Sequence, residues 1–478
     1  MSQYRADALV VVFTAGVSLR DWVASGLLPR EWPLYERLRP EYSRIILVTH
    51  GGPDDLTVGQ HWKEFTEGVS DHPPEVICNA SNADPIVYTG LLPRLVAERL
   101  GGTQTVVIKT NQMQGGDVAA RITQHLRSQG FIAGLIGRGG YLWSRFVASE
   151  HGAHSAQAAD AAASEGELCR ASDVIVGTTQ QMLDDLSWRY SLDASRMHLV
   201  PNYVLASEEP IPASARQAGR VLYAGQLVQR KRVDVLIEAI AQVKAAGQEN
   251  AILEIVGDGP DEKHLKELAA RLGAPVEFHN RISHGELIGR MSRCAVYAQA
   301  SELEGHPKTV LEAMATGAAV VVADSPGLAD VVQIGATGLR VSSDAPSFAH
   351  AIGQLLSDED WRDTLGFAAA RTSRQAYALD NVIALERRAH DAAIARAGLG
   401  AAAASPPVRF DPEMLHAPAE QAAAAFVRAI RSYIRRTGLE KRPAFLETLE
   451  EQFAPLIDEA KVDALVRKVA DESASAKP

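Results

Sequence analysis

Short apolar runs alternate with longer segments whose apolar positions recur every three or four residues. The runs ALVVVF (8–13), RIILVTH (44–50), TVVIKT (105–110), IAGLIG (132–137) and DVIVGT (173–178) predict buried strands. Between them, LLPRLVAERL (91–100) and DVAARITQHLRSQG (117–130) carry the amphipathic period of helices. Strand–helix alternation of this kind is the signature of βαβ units on a parallel sheet.

The alternation stops after HLVPNYV (198–204). SEEPIPASARQAG (207–219), rich in Pro, Ser and charge, predicts a linker. Then the pattern restarts with RVLYAG (220–225) as a strand, VDVLIEAIAQVKAAG (233–247) as a helix ending on Gly, and AILEIVGDG (251–259) as a strand. DEKHLKELAARLG (261–273) follows as a helix with its own Gly stop, and VEFHN, AVYAQA, AAVVVAD and GLRVS continue the series. The expected fold is α/β: two Rossmann-like, doubly wound domains, residues 1–205 and 220–374, joined by a linker at 206–219. The cleft between them is the default binding site. QAYALDNVIALERRAHDAAIARAG (375–398) predicts a long helix over 375–399 that packs back on the first domain. Residues 400–478, opening with the spacer GAAAASPP (400–407), predict a charge-rich helical extension.

Composition narrows the classes. At 478 residues and about 100–200 per domain, two or three domains fit, and 46% hydrophobic residues suffice for real cores. A net charge of -11 argues against nucleic-acid binding, which rests on neutralising phosphates with Lys and Arg. The three cysteines, Cys78, Cys169 and Cys294, form no C-x-x-C pair and predict a reducing, cytoplasmic setting. No stretch reaches the roughly 20 apolar residues of a membrane span. No H-E-x-x-H pattern occurs, and neither a metal site nor a cofactor is expected.

The most informative stretch is ELEGHPKTVLEAMATG (302–317), in which Glu304 and Glu312 bracket a helix start at Pro307. By residue type alone the two carboxylates are an acid/base pair, a metal site, hydroxyl clamps or solvated charges. The loop placement of Glu304 and the helix N-terminus between them favour a ligand with phosphate in the middle and hydroxyls at both ends. A helix start seats anions, and a carboxylate accepts two hydrogen bonds from a diol. A glycosidase reading is poor, because two carboxyls flanking a glycosidic bond need no helix N-terminus between them.

E-x7-E with GHPK after the first Glu and A-M-A-x-G after the second resembles the donor site of retaining GT-B glycosyltransferases, in particular glycosyltransferase family 4. GQLVQRKRVDVLIEAI (225–240), IVGDGPDEKHLKELAARLG (255–273) and DSPGLADVVQIGATGLRV (324–341) resemble successive blocks of that family's C-terminal domain. The match is strong over residues 198–345. VSLRDWVASGLLPREWPLYERL (17–38) resembles the start of some bacterial polysaccharide-type members. The resemblance implies a retaining, metal-independent transferase moving a sugar from a nucleotide-diphosphate sugar to a hydroxyl of a glycan, lipid-linked or protein acceptor. Polysaccharide, lipopolysaccharide or glycoprotein glycan assembly is the setting it implies. It makes Glu304 and Lys231 catalytic, Glu304 gripping the sugar and Lys231 the diphosphate. It gives Glu312 the ribose, and Gly257 and Gly259 a turn that lets the backbone approach the nucleotide.

The chain departs from the family at Gln226, where an Arg is usual, and at Arg232, where a Gly is usual; Arg230 or Arg232 would restore the lost charge. His306, Pro307, Lys308 and Thr309 complete the expected donor side, with His306 either capping the helix or meeting a sugar hydroxyl. Asp330 stands where the family usually has Glu. On the acceptor side, Gly16 follows the first strand, Arg138 takes the place of a family His, and Lys109 and Asn111, with Gln112, end a strand near the cleft.

Two other readings remain: a GT-B sugar-nucleotide epimerase, and a noncatalytic subunit that binds a partner. The extension helix AAAAFVRAIRSYIRR (422–436) sets Phe426, Ile430 and Tyr433 against a ring of arginines. Docking on the body or on a second subunit is the simpler reading of residues 400–478, and peripheral contact with the inner face of a membrane the other.

Overall fold

The computed structural model describes residues 5–205 and 215–398. Most of the linker and the whole extension, including the 422–436 helix, lie outside the described residues.

Seven parallel strands form the first sheet: β1 (Ala6–Val12), β2 (Tyr42–Val48), β3 (Glu75–Ile77), β4 (Thr105–Thr110), β5 (Ile132–Gly139), β6 (Val174–Gly177) and β7 (Met197–Leu199), in the order β3-β2-β1-β4-β5-β6-β7. Six more form the second: β8 (Gln217–Ala224), β9 (Ile252–Val256), β10 (Val276–His279), β11 (Cys294–Gln299), β12 (Ala319–Ala323) and β13 (Leu339–Val341), in the order β10-β9-β8-β11-β12-β13. Both are doubly wound, with the chain reversing direction across the sheet between β1 and β4 and between β8 and β11. Helices cover both faces, so central strands are mostly apolar. Val320, Val321 and Val322 of β12 are each wholly buried. Each such side chain contributes roughly 1.5–3 kcal/mol of burial.

The elements differ from expectation in two places. β8 begins at Gln217, inside the stretch read as linker, because Gln217 pairs with Cys294 of β11. The long helix starts at Leu379 rather than 375. Ala378 takes an extended conformation, φ −55 and ψ 139, that ends one helix (Glu359–Tyr377) and opens the next (Leu379–Arg396).

That break moves the chain between lobes. Before it, Ser373 Oγ donates to the Leu311 carbonyl at 2.9 Å and Arg374 Nε to the Ala315 carbonyl at 3.0 Å, both in the second lobe. After it, Val382, Ile383, Ala389, Ala392 and Ala393 join the core formed by β1, β2 and the helix Leu28–Leu38 of the first lobe. Gly134 of β5 faces this helix; a Cβ there would meet the Ala393 carbonyl at 2.8 Å. The chain leaving β7 meets the break directly, with the Val204 N–H donating to the Tyr377 carbonyl at 2.9 Å.

Candidate active site

In an open parallel sheet, ligands bind beyond the carboxyl ends of the strands, where the winding reverses. In the second lobe that point lies between β8 and β11. The loop after β8 carries Arg230, Lys231 and Arg232, and the loop after β11 carries Glu304.

The Lys231 ammonium is paired with the Glu304 carboxylate. Gln299, the last residue of β11, donates Nε2–H to Glu304 Oε1 at 2.6 Å. Its own Oε1 accepts from Tyr297 at 3.1 Å and from Thr309 Oγ1 at 3.2 Å, which fixes the amide's orientation. Burial alone would raise the Glu304 pKa, but Lys231, Ser301 and Arg230 together outweigh it and the carboxyl is held below its usual range. Glu304 is therefore an anion and an acceptor, not a proton donor. Arg230 lies 3.9 Å from Glu304 and stacks over the Phe146 ring, 4.9 Å from its centroid. Arg232 is turned away, bonded to Asp234 at 3.2 Å and Glu302 at 2.9 Å. Its backbone is left-handed, φ 47, which accounts for a glycine being favoured at this place. Arg230, not Arg232, stands beside Lys231. Gln226 is exposed, and its carbonyl accepts from Tyr223 at 2.9 Å.

Gly257 and Gly259 follow β9 and press on the β8 loop. A Cβ at Gly257 would lie 1.9 Å from the Gly225 carbonyl, and one at Gly259 2.3 Å from the Leu227 carbonyl. Leu227 N–H also donates to the Asp258 carbonyl at 2.8 Å. These glycines serve loop-to-loop packing first.

The first lobe closes over this surface. A cleft is lined by Tyr141, Arg145, Phe146, Thr178 and Gln181 on one side and Glu304, Gly305, Gly327 and Asp330 on the other. Burial pushes the Asp330 carboxyl up. The lobes also press together at Gly305, where a Cβ would lie 2.0 Å from the Gly140 carbonyl.

Several expected ligand residues are engaged across the lobes instead. His306 neither caps the helix Lys308–Ala315 nor faces the cleft; its Nδ1 accepts the Asn202 N–H at 3.1 Å, and its carbonyl accepts from Asn202 Nδ2 at 2.7 Å. Burial drives its pKa down to about 3, so the ring is neutral. Pro307 is the residue before that helix rather than inside it. Lys308 is paired with Glu31 of the first lobe. Glu312 is nearly buried. Arg30 grips it with Nε to Oε1 at 2.7 Å and Nη2 to Oε2 at 2.8 Å, and His284 Nε2 lies 3.1 Å from Oε1.

On the acceptor side, Lys109 is a correction. It is wholly buried under Tyr35, paired with Glu386 of the helix Leu379–Arg396, and does not reach the cleft. Burial, with Arg138 nearby, lowers its pKa well below that of a free lysine. Arg138 is buried too, donating to the Asn111 carbonyl at 3.1 Å and Asn202 Oδ1 at 3.2 Å. It braces the lobe junction. Gly16 has φ +78 and open space around it. Gln112 holds the Gly140 N–H at 2.7 Å and so shapes the cleft wall through the backbone.

Five partners were not singled out from sequence: Gln299, Arg30, Glu31, His284 and Asn202. Gln299 carried a signal, being the polar end of an otherwise apolar strand. The others meet the site only through long-range contacts. Among the described residues no group of three or more His, Cys, Asp or Glu side chains gathers to hold a metal ion, and no helix is long and apolar enough to cross a membrane.

Two doubly wound lobes with a charged switch-point loop facing a cleft define the GT-B class, and solved structures agree on the fold. The chain superposes on Anabaena HepE in complex with UDP and glucose with a TM-score of 0.61, at 17% identity over 80% of this chain and 98% of that one. It is equally similar to sucrose-phosphate synthase from Thermosynechococcus elongatus, TM-score 0.61, at 20% identity over 80% of this chain and 98% of that one. Within this fold, residues 208–372 match the family described as glycosyl transferases group 1. A D-inositol 3-phosphate glycosyltransferase from Nocardioides is 29% identical over 236 residues, 44% of this chain and 52% of the relative. A GDP-mannose-dependent phosphatidylinositol monomannoside mannosyltransferase from Corynebacterium glutamicum is 34% identical over 151 residues, 30% of this chain and 39% of the relative. The chain thus spans about half the length of the curated relatives it matches first.

Proposed function

We propose that the protein is a retaining, metal-independent glycosyltransferase that moves a sugar from a nucleotide-diphosphate sugar to a hydroxyl acceptor. The observation that carries this reading is the Lys231–Glu304–Gln299 constellation at the switch point, with Arg230 beside it. Nucleotide-sugar donors are supported by the UDP and glucose bound to Anabaena HepE and by the GDP-mannose dependence of the corynebacterial relative. Glycan assembly in the cytoplasm, as polysaccharide, lipopolysaccharide or glycoprotein, is the setting proposed.

In the reaction the bond between the anomeric carbon and the diphosphate oxygen breaks as the acceptor oxygen bonds to that carbon from the same face. The acceptor proton passes to the departing diphosphate, so the protein need not supply a base. Negative charge grows on the diphosphate, and Lys231 and Arg230 are the cations placed to receive it. Preorganised charge of this kind is worth about 10²–10³ in rate per donor removed. Glu304, kept ionised, accepts hydroxyl hydrogens of the transferred sugar and orients it. Tyr141 and Phe146, 4.6 Å apart across the cleft from Glu304, give the acceptor an apolar wall.

The test is a donor screen with UDP-, GDP- and ADP-sugars, following slow donor hydrolysis by wild type, Glu304→Ala and Lys231→Ala. Hydrolysis of one donor that both variants abolish or strongly reduce is expected. Near-normal rates in Glu304→Ala would remove its role. A product epimerised without acceptor would establish the epimerase reading, and no binding of any activated sugar by calorimetry the noncatalytic one.

A further inference from the structure

The Glu312 carboxylate, assigned above to the donor ribose, is already filled on both oxygens from the other lobe. Arg30 forks it at 2.7 and 2.8 Å, and His284 adds a contact at 3.1 Å. Side-chain exposure is 4% for Glu312 and 17% for Arg30. Arg30 is held in place by its own backbone, since the hydroxyl of Tyr203 donates to the Arg30 carbonyl at 2.7 Å and to that of Glu31 at 3.1 Å. Glu31 in turn pairs with Lys308, one turn before Glu312 on the same helix. The chain just before Arg30 also reaches the loop after β10, where a Cβ at Gly26 would lie 3.8 Å from the Ile282 carbonyl.

A carboxylate grips a vicinal diol by accepting one hydrogen bond on each oxygen, and a guanidinium fork uses the same two positions. In the two-point geometry both use the inward-facing lone pair of each oxygen, so the fork and the diol compete for the same side of the Glu312 carboxylate. We propose that Arg30 is an affinity-setting residue for the donor: a competitor from the first lobe that a ribose diol must displace from Glu312. The inference rests on the ribose reading of Glu312. A nucleotide without the diol leaves the Arg30–Glu312 pair intact and feels no competition. Arg30 thereby weakens ribonucleotide binding and narrows the preference for ribose over deoxyribose.

The experiment is calorimetry on the full chain with UDP, GDP and ADP and their 2′,3′-dideoxy counterparts, for wild type, Arg30→Met, Arg30→Lys and Glu312→Gln. Exchange of one charge-assisted hydrogen-bonded fork predicts that Arg30→Met binds the preferred ribonucleotide about tenfold more tightly. Dideoxynucleotide affinity stays at the wild-type value. Arg30→Lys, a point charge that cannot fork, falls between, and it carries the test if the Met variant does not fold. Equal or weaker ribonucleotide binding by the Arg30 variants, with ribose still preferred over dideoxyribose, overturns the proposal and spares the ribose reading. Equal binding of ribo and dideoxy forms by every protein overturns both. A parallel loss of both forms in Arg30→Met marks a purely structural residue and also refutes the proposal.

Discussion

A buried histidine at the lobe junction predicts a specific acid sensitivity. His306 is enclosed between the lobes, accepts the Asn202 N–H through Nδ1, and packs edge-on to Tyr377 at 5.1 Å. Desolvation, aided by Lys308 and Arg138, lowers its pKa from 6.5 to about 3. Unfolded, the ring binds a proton as pH falls through 6.5; folded, it does not until far lower. The unfolded state therefore holds more protons in this window, and stability present above pH 6.5 is lost as pH falls toward 3. At about 1.4 kcal/mol per unit, lowering pH from 7 to 5 removes about 2 kcal/mol through this one residue. Burial also depresses the pKa of His50, His198 and His390, so the wild-type profile sums several groups. The comparison with His306→Gln isolates the one of interest. Urea unfolding of both proteins from pH 7 to 5, with ring-nitrogen NMR of His306, should show wild type losing about 2 kcal/mol more than the variant. Parallel stability curves, or an imidazolium signal from His306 at pH 5, would refute the assignment of a neutral buried ring.

Other outcomes follow from the same geometry. Glu386→Leu leaves the Lys109 ammonium buried without its partner and should cost about 3–5 kcal/mol, whereas Lys109→Met with Glu386→Leu should cost about 1–3 kcal/mol, the loss of the Glu386 contact to buried His390 at 3.2 Å. Denaturant melts check this, and unchanged kcat in the double variant confirms that Lys109 lies outside the cleft. Gly305→Ala puts a methyl into the Gly140 carbonyl, so the lobes cannot close fully; kcat/KM should fall about 100-fold, with a larger radius of gyration in solution scattering. Lys231→Met should lower kcat by about 10²–10³, and a loss confined to KM would contradict its placement against the developing charge.

The two sheets were legible because burial on both faces leaves strands as apolar runs that no helix period imitates. β3 and β7, each three residues long at a sheet edge, are too short for their apolar pattern to stand out from the flanking loops. The break at Ala378 left no trace either, since alanine favours a helix and only the change of lobe demands an extended residue there. The family resemblance singles out Glu304 and Lys231, but their pairing, 73 residues apart in sequence, is visible only in the fold. Local spacing said nothing of Arg30 on Glu312 or Glu31 on Lys308, whose partners lie far apart in sequence and meet only when the lobes do. Lys109 shows the opposite failure: a lysine at a strand end reads as reaching the cleft, and only the returning helix, bringing Glu386, makes its burial tolerable.

The helix Leu379–Arg396 gives the first lobe a wall that ribosomal synthesis delivers only after the whole second lobe. Residues 1–205 expressed alone would present an open apolar trough along β4, β5 and β6, and should aggregate or await a complementing peptide. Supplying residues 379–396 in trans should restore solubility.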